Sequence, residues 1–251
     1  MKNAFTYMFK DNMWFKKSLL IFGLLLLQMG CPLISGALSR FSETIVQENI
    51  SAAFCCLIAI LIISGIGFVA SILYCGYFIN CIKAVSVQKE NIVLPFVNIK
   101  QNLITGFKYT VAVALYILEM IGVILIPLFL LAIPATKILG VVLLIIAILF
   151  VVFIFFTCSM GFVRLFAETE SMTAFAKFKQ IPELIKDKKK QYFLSILLNG
   201  AFSMLLSVFA FSFPQGIGFI IYVLLAPYAT FVTAHLFARC IDKERFQLIE
   251  K

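Results

Sequence analysis

The chain has 251 residues, of which 63% are hydrophobic and 13% charged, with a mean hydropathy of +1.06 and a net charge of +9. Soluble globular domains carry charge at about a quarter of their positions, so this composition excludes a soluble domain. Nucleic acid is not a partner that the positive balance points to, because the basic residues stand at the ends of apolar runs rather than in a patch interleaved with exposed aromatics.

In chain order, Phe5, Phe9 and Met13 recur at helical spacing, with Trp14 beside them and Lys10, Lys16 and Lys17 around them. That pattern predicts a helix lying in the membrane interface. About 20 apolar residues cross a hydrocarbon core. Six such spans are predicted, over 18–38, 53–82, 109–133, 138–163, 192–212 and 216–238. The first resembles the core of a secretory leader. Gln28 and Met29 fit a cleavage site poorly, however, and the run continues through Pro32, Leu33 and Ile34, so it is read as an uncleaved anchor. Span two is longer than a crossing requires; tilt or continuation of its last turns, from Tyr77 to Ala84, as helix beyond the membrane would accommodate the excess. Leu94, Val97, Gln101 and Ile104 with Lys100 and Lys108 predict an amphipathic stretch over 94–108, and Phe178, Ile181, Leu184 and Ile185 with a run of lysines predict another over 178–191. Pro134 to Lys137, and Pro214 with Gln215, are tight connections that make spans three and four, and five and six, antiparallel neighbours.

Nineteen of the twenty-one lysines and arginines fall on one side of this arrangement, leaving Arg40 and Lys137 on the other. Positive charge in short loops is retained on the cytoplasmic side, so both termini are expected in the cytoplasm, with the basic residues facing anionic headgroups. No extra-membrane stretch is long enough for a second domain, and residues 1–251 are read as one membrane domain. The fold class is all-α: a polytopic membrane protein of six transmembrane helices.

A three-fold repeat runs through the chain. Phe78-Ile79-Asn80-Cys81-Ile82 ends span two, Phe162-Val163-Arg164-Leu165-Phe166 ends span four and Phe237-Ala238-Arg239-Cys240-Ile241 ends span six. Each odd span is preceded by an amphipathic stretch, so the repeating unit is an interfacial helix, a span, an outer turn and a span, with a pseudo-symmetry axis along the membrane normal. Snorkelling and interfacial anchoring would also favour such helix ends without any repeat.

Polar groups inside the spans are the candidates for a site. Glu119 is the only acidic residue within a span, where a carboxylate must be neutral, paired or next to water. It is read either as a proton- or cation-responsive group lining a cavity or as a hydrogen-bonding link between helices. Asn199, with Gln28, reads as a hydrogen-bonding group between helices. His235, the single histidine, lies beside Arg239 near the inner end of span six, where interfacial anchoring is favoured over catalysis for want of a nucleophile or carboxylate partner. Pro127 and Pro227 are expected to kink spans three and six or to free a backbone carbonyl there. Lys16, Lys17, Lys100, Lys188, Lys189, Lys190 and Arg239 are candidate headgroup contacts. The seven cysteines contain no Cys-x-x-Cys and read as small apolar residues, and Gly65-Ile66-Gly67 and Gly216-Ile217-Gly218 as close-packing positions. No catalytic motif, metal set or cofactor fingerprint is present in the sequence.

The stretch MFKDNMWFKKSLLIFGLL, with Phe9, Asp11, Trp14 and Lys17, resembles a prokaryotic membrane family known as domain of unknown function 4013. So does GYFINCIKAVSVQKENIVLPFVNIKQNLITGFKY, with Gly76-Tyr77, Leu94-Pro95 and Gly106, as does the closing stretch from Tyr222 to Arg239 with His235-Leu236. Members often carry a Trp and acidic residues after the Leu-Pro pair, where Phe96, Val97 and Asn98 stand here. The resemblance implies a membrane fold in a prokaryotic plasma membrane and carries no reaction with it. The expectation is a non-enzymatic protein acting through lipid or membrane-protein partners at the inner face; the alternative is a small transporter or channel with a cavity near Glu119.

Overall fold

A computed structural model describes residues 2–45, 50–88, 93–172, 174 and 180–241. Among them there is no strand, and seven α-helices follow two short 3-10 turns: α1 (Trp14–Ile45), α2 (Ile50–Val87), α3 (Ile99–Ala132), α4 (Lys137–Thr169), α5 (Gln180–Leu184), α6 (Lys189–Phe211) and α7 (Gln215–Arg239). All but α5 are long and apolar enough to cross a membrane. A lipid phase offers the backbone no hydrogen-bonding partner, so long apolar runs satisfy their amides internally, as helix. Leu61, Phe129, Ile138 and Phe153 remain exposed on the bundle's flanks, as lipid-facing residues do.

Several helices outrun their predicted spans at the end that holds both α1's start and α7's finish. At 38 residues, α2 is about 57 Å long against a hydrocarbon core of about 30 Å, and Tyr77 to Ala84 are helical, as the excess length of that span allowed. The helices stay ordered there because they bury one another. Ile79, Cys81 and Ile82 from α2, Phe162 and Phe166 from α4, Phe231 and Val232 from α7, and Cys240 at the end of α7 are all fully buried in one cluster. The three matching helix ends of the sequence repeat therefore meet in a single core, with the Phe78 and Phe237 rings 5.9 Å apart and nearly perpendicular.

The predicted interfacial helices are built differently. Over 94–108, residues 93–98 have no regular secondary structure, and one helix then runs from Ile99 through Lys108 into span three; Asn98 caps it by accepting from Gln101 N–H at 3.1 Å. No breaker separates the amphipathic stretch from the span, so the two form one helix. Residues 178 and 179 of the third stretch lie outside the described residues; the rest is the five-residue α5, a turn, and the start of α6. At the N-terminus the chain makes 3-10 turns over Lys2–Phe5 and Tyr7–Lys10, burying Ala4, Tyr7 and Met8 and leaving Phe5, Phe9 and Met13 exposed. Helices α3 and α7 run without interruption through Pro127 and Pro227.

The tightest crossing is between α2 and α3. A Cβ at Gly76 would lie 1.9 Å from the Asn102 carbonyl oxygen, and one at Gly106 would lie 1.9 Å from that of Ile72. Only glycine permits this approach, which also brings Asn80 Nδ2 to donate to Asn102 Oδ1 at 2.7 Å. Helix α4 is capped at its C-terminus by Glu170, whose φ of 48° places a non-glycine residue in the left-handed region. The Lys83 and Lys108 ammonium groups hold its carboxylate there. The hydrogen bond from Lys83 leads in keeping that carboxyl below its ordinary range, against the opposing effect of burial.

Candidate functional site: an uncharged intramembrane cleft and a buried ion pair

A cleft of about 510 Å³ opens among α1, α2, α3, α6 and α7. Its apolar walls include Leu25, Met29, Leu206 and Ala226, and its polar groups are Gln28, Tyr74, Tyr109, Ser203, Tyr222 and Thr230, joined by Ser207 and Thr233. Among the described residues, no charged one lines it. The cleft wall is ordered by interhelical hydrogen bonds: Tyr74 Oη and Thr230 Oγ1 lie 2.9 Å apart, and Thr230 also donates to the Ala226 carbonyl one turn back at 2.8 Å. Thr233 donates to Asn199 Oδ1 at 2.9 Å, tying α6 to α7. Gln28 Oε1 is buried and has no hydrogen-bond partner among the described residues. Such a site is equipped to hold a neutral amphiphile by hydroxyl hydrogen bonds and apolar contact.

The N-terminal segment is fastened to the bundle beside this cleft. Tyr7 donates to the Phe231 carbonyl at 2.8 Å and packs its ring 4.7 Å from that of His235. Tyr228 donates to the Phe5 carbonyl at 3.0 Å, while the Phe5 ring meets Phe202 of α6. Asp11 and Lys17 form a buried ion pair at 2.7 Å, their side chains 4% and 1% exposed. Both also hold the 93–98 strap: Lys17 Nζ donates to the Leu94 carbonyl at 2.6 Å, and Asp11 Oδ2 accepts from Leu94 N–H at 2.8 Å. The Phe96 ring lies 4.5 Å from the Lys17 ammonium, and Tyr77 donates to the Pro95 carbonyl at 3.1 Å. Burial works to raise the Asp11 carboxyl, but the Lys17 ammonium and the Met13 and Leu94 N–H groups outweigh it and hold the group below the ordinary carboxylate range.

The residues singled out in the sequence are dispersed. Glu119 is exposed on the outer surface of α3 and is not among the residues lining the cleft. Asn199 links helices beside the cleft through Thr233. His235 is not at a surface; it is buried against Tyr7, and its Nδ1 has no hydrogen-bond partner among the described residues. Lys17, expected at headgroups, is instead buried, because Asp11 and Leu94 compete successfully for its ammonium. Lys16, Lys100, Lys189 and Lys190 are exposed, Lys188 is half-buried, and the half-buried Arg239 donates to the Gln88 carbonyl at 2.7 Å. The residues that assemble the cleft, Tyr74 and Thr230 above all, passed unnoticed in the sequence, since a hydroxyl in an apolar span carries no motif.

A sequence profile of a family described as protein of unknown function, DUF4013, matches residues 57–215. The chain belongs to this family. The matched segment contains Gly76-Tyr77, Leu94-Pro95 and Gly106, which the fold joins at the α2–α3 crossing and the strap above it. The Asp11 and Lys17 side of the ion pair and the α7 wall of the cleft lie outside the DUF4013 match. No curated protein and no solved structure matches the chain. The DUF4013 membership and the six apolar helices together make it a multi-pass membrane protein.

Proposed function

We propose that this DUF4013 protein is a non-enzymatic component of the prokaryotic plasma membrane, with both termini cytoplasmic, that works by holding a neutral amphipathic lipid in the cleft among α1, α2, α3, α6 and α7. The observation that carries this reading is the lining itself: eight polar but uncharged side chains within an otherwise apolar pocket of about 510 Å³. Charge is expensive inside a membrane and is retained where ions or protons are handled. Its absence from the cleft favours a neutral ligand over a transport path organised around Glu119. Exposed Lys16, Lys100, Lys189 and Lys190 supply a separate surface for anionic headgroups at the inner face.

The test is to purify the protein from its native membrane in lipid particles and identify what stays bound by mass spectrometry. The reading expects a neutral lipid enriched over the bulk membrane, with Ala229→Phe, which fills the cleft, abolishing the enrichment and Ala201→Phe on the exposed face of α6 preserving it. A lipid complement matching the bulk in every sample would overturn it. A stoichiometric protein partner retained in place of lipid would move the function to protein docking.

A further inference from the structure

We propose that the protein forms a parallel dimer in the membrane through the outer face of α3, with Glu119 of one copy paired to Glu119 of the other. The face runs through Leu115, Leu118, Glu119, Gly122 and Ile126, on which the four other than glycine are exposed. Glu119 stands eleven residues beyond Lys108 and thirteen before the helix ends at Ala132, about 16 and 20 Å along the axis. It is therefore near the middle of the hydrocarbon, facing outward, and has no ion-pair partner among the described residues. The sequence places no lysine or arginine at that depth in any other span. A carboxyl facing hydrocarbon is stable when neutral or paired.

A second copy meets this need by geometry alone. The bilayer confines all copies to one orientation, so a two-fold axis between them lies along the membrane normal, and a residue on that axis meets itself at its own depth. A protonated carboxyl group can both donate and accept hydrogen bonds, so two of them brought together can satisfy each other. Gly122, one turn on, has open space where its Cβ would be, which lets another helix backbone come close. Helix α3 already packs on α2 and α4, and of the surface it leaves exposed, which also carries Ile117, Ile121 and Leu125, this face is the part that holds the carboxyl.

The experiment places a photoreactive benzophenone amino acid at Leu118, or at the equally exposed Leu205 of α6 as a control, in full-length protein in native membranes. The expected result is a covalent dimer from position 118 and none from 205. Its yield should fall on Glu119→Leu, with an association constant in lipid about tenfold lower, and survive Glu119→Gln, whose amide still pairs with itself. A dimer indifferent to Glu119→Leu, an adduct to a different protein, or no dimer from position 118 in the unsubstituted protein at any lipid-to-protein ratio would each overturn the proposal. Dilution of that protein into excess phosphatidylcholine vesicles supplies a second reading independent of any Glu119 variant, since a reversible dimer must dissociate.

Discussion

Replacing Asp11 by asparagine breaks the buried ion pair and leaves its lysine in place. The variant keeps the side chain's shape, and its Oδ1 still accepts from Met13 N–H, a bond of 2.8 Å in the native protein. What disappears is the countercharge of Lys17, an ammonium 1% exposed that also donates to the Leu94 carbonyl at 2.6 Å and faces the Phe96 ring at 4.5 Å, together with the Oδ2 that accepts from Leu94 N–H at 2.8 Å. Removing one partner of a buried pair costs about 3–5 kcal/mol because the remaining charge stays buried. Lys17→Met should cost somewhat less, since Asp11 retains the N–H groups of Met13 and Leu94. The double variant carries no buried charge at this site. Its cost should be about 2 kcal/mol, the share of the unmet Leu94 groups, well short of the two single costs combined. Reversible unfolding by SDS in mixed micelles, followed through the fluorescence of Trp14, the single tryptophan, measures all three. Either single variant within about 0.5 kcal/mol of the native protein, or a double variant equal to the sum, would refute the reasoning.

The same pair sets an acid limit. Because folding lowers the Asp11 carboxyl, its contribution is complete above the unfolded value of about 3.9 and is lost as pH falls through the lower folded value. Protection of the Leu94 amide against hydrogen exchange, corrected for intrinsic rate, should therefore hold through mild acid and collapse only below the ordinary carboxylate range; loss near pH 6 would count against it. Gly76→Ala and Gly106→Ala each push a Cβ against backbone, which cannot yield as a side chain can, and should cost about 2 kcal/mol or more. Gly30→Ala, where the added carbon meets nothing, should leave the melting temperature unchanged or slightly raised. Tyr192 donates to the Thr157 carbonyl at 2.6 Å and accepts from Gly161 N–H at 3.0 Å. Tyr192→Phe should thus destabilise the α4–α6 contact by about 1–2 kcal/mol, read as a lower melting temperature and faster exchange of the Gly161 amide.

Composition and periodicity alone determined the helical membrane class, the six crossings and the tight turns, because a hydrocarbon phase leaves an apolar run of 20 residues with one way to satisfy its backbone. The resemblance to the DUF4013 family, not composition or periodicity, singled out Gly76, Gly106, Leu94, Asp11 and Lys17. That these residues form one crossing and one ion pair was decided by tertiary structure: Asp11 and Leu94 are 83 positions apart, and nothing local tells a lysine at a helix start whether it will meet headgroups or a carboxylate. Glu119 shows the complementary limit. Its depth was legible from span length, but the face it occupies depends on the rotation of α3 against α2 and α4, which only packing sets. The cleft depended on packing throughout, since Tyr74, Ser203 and Thr230 are ordinary residues of three separate helices until those helices are set side by side.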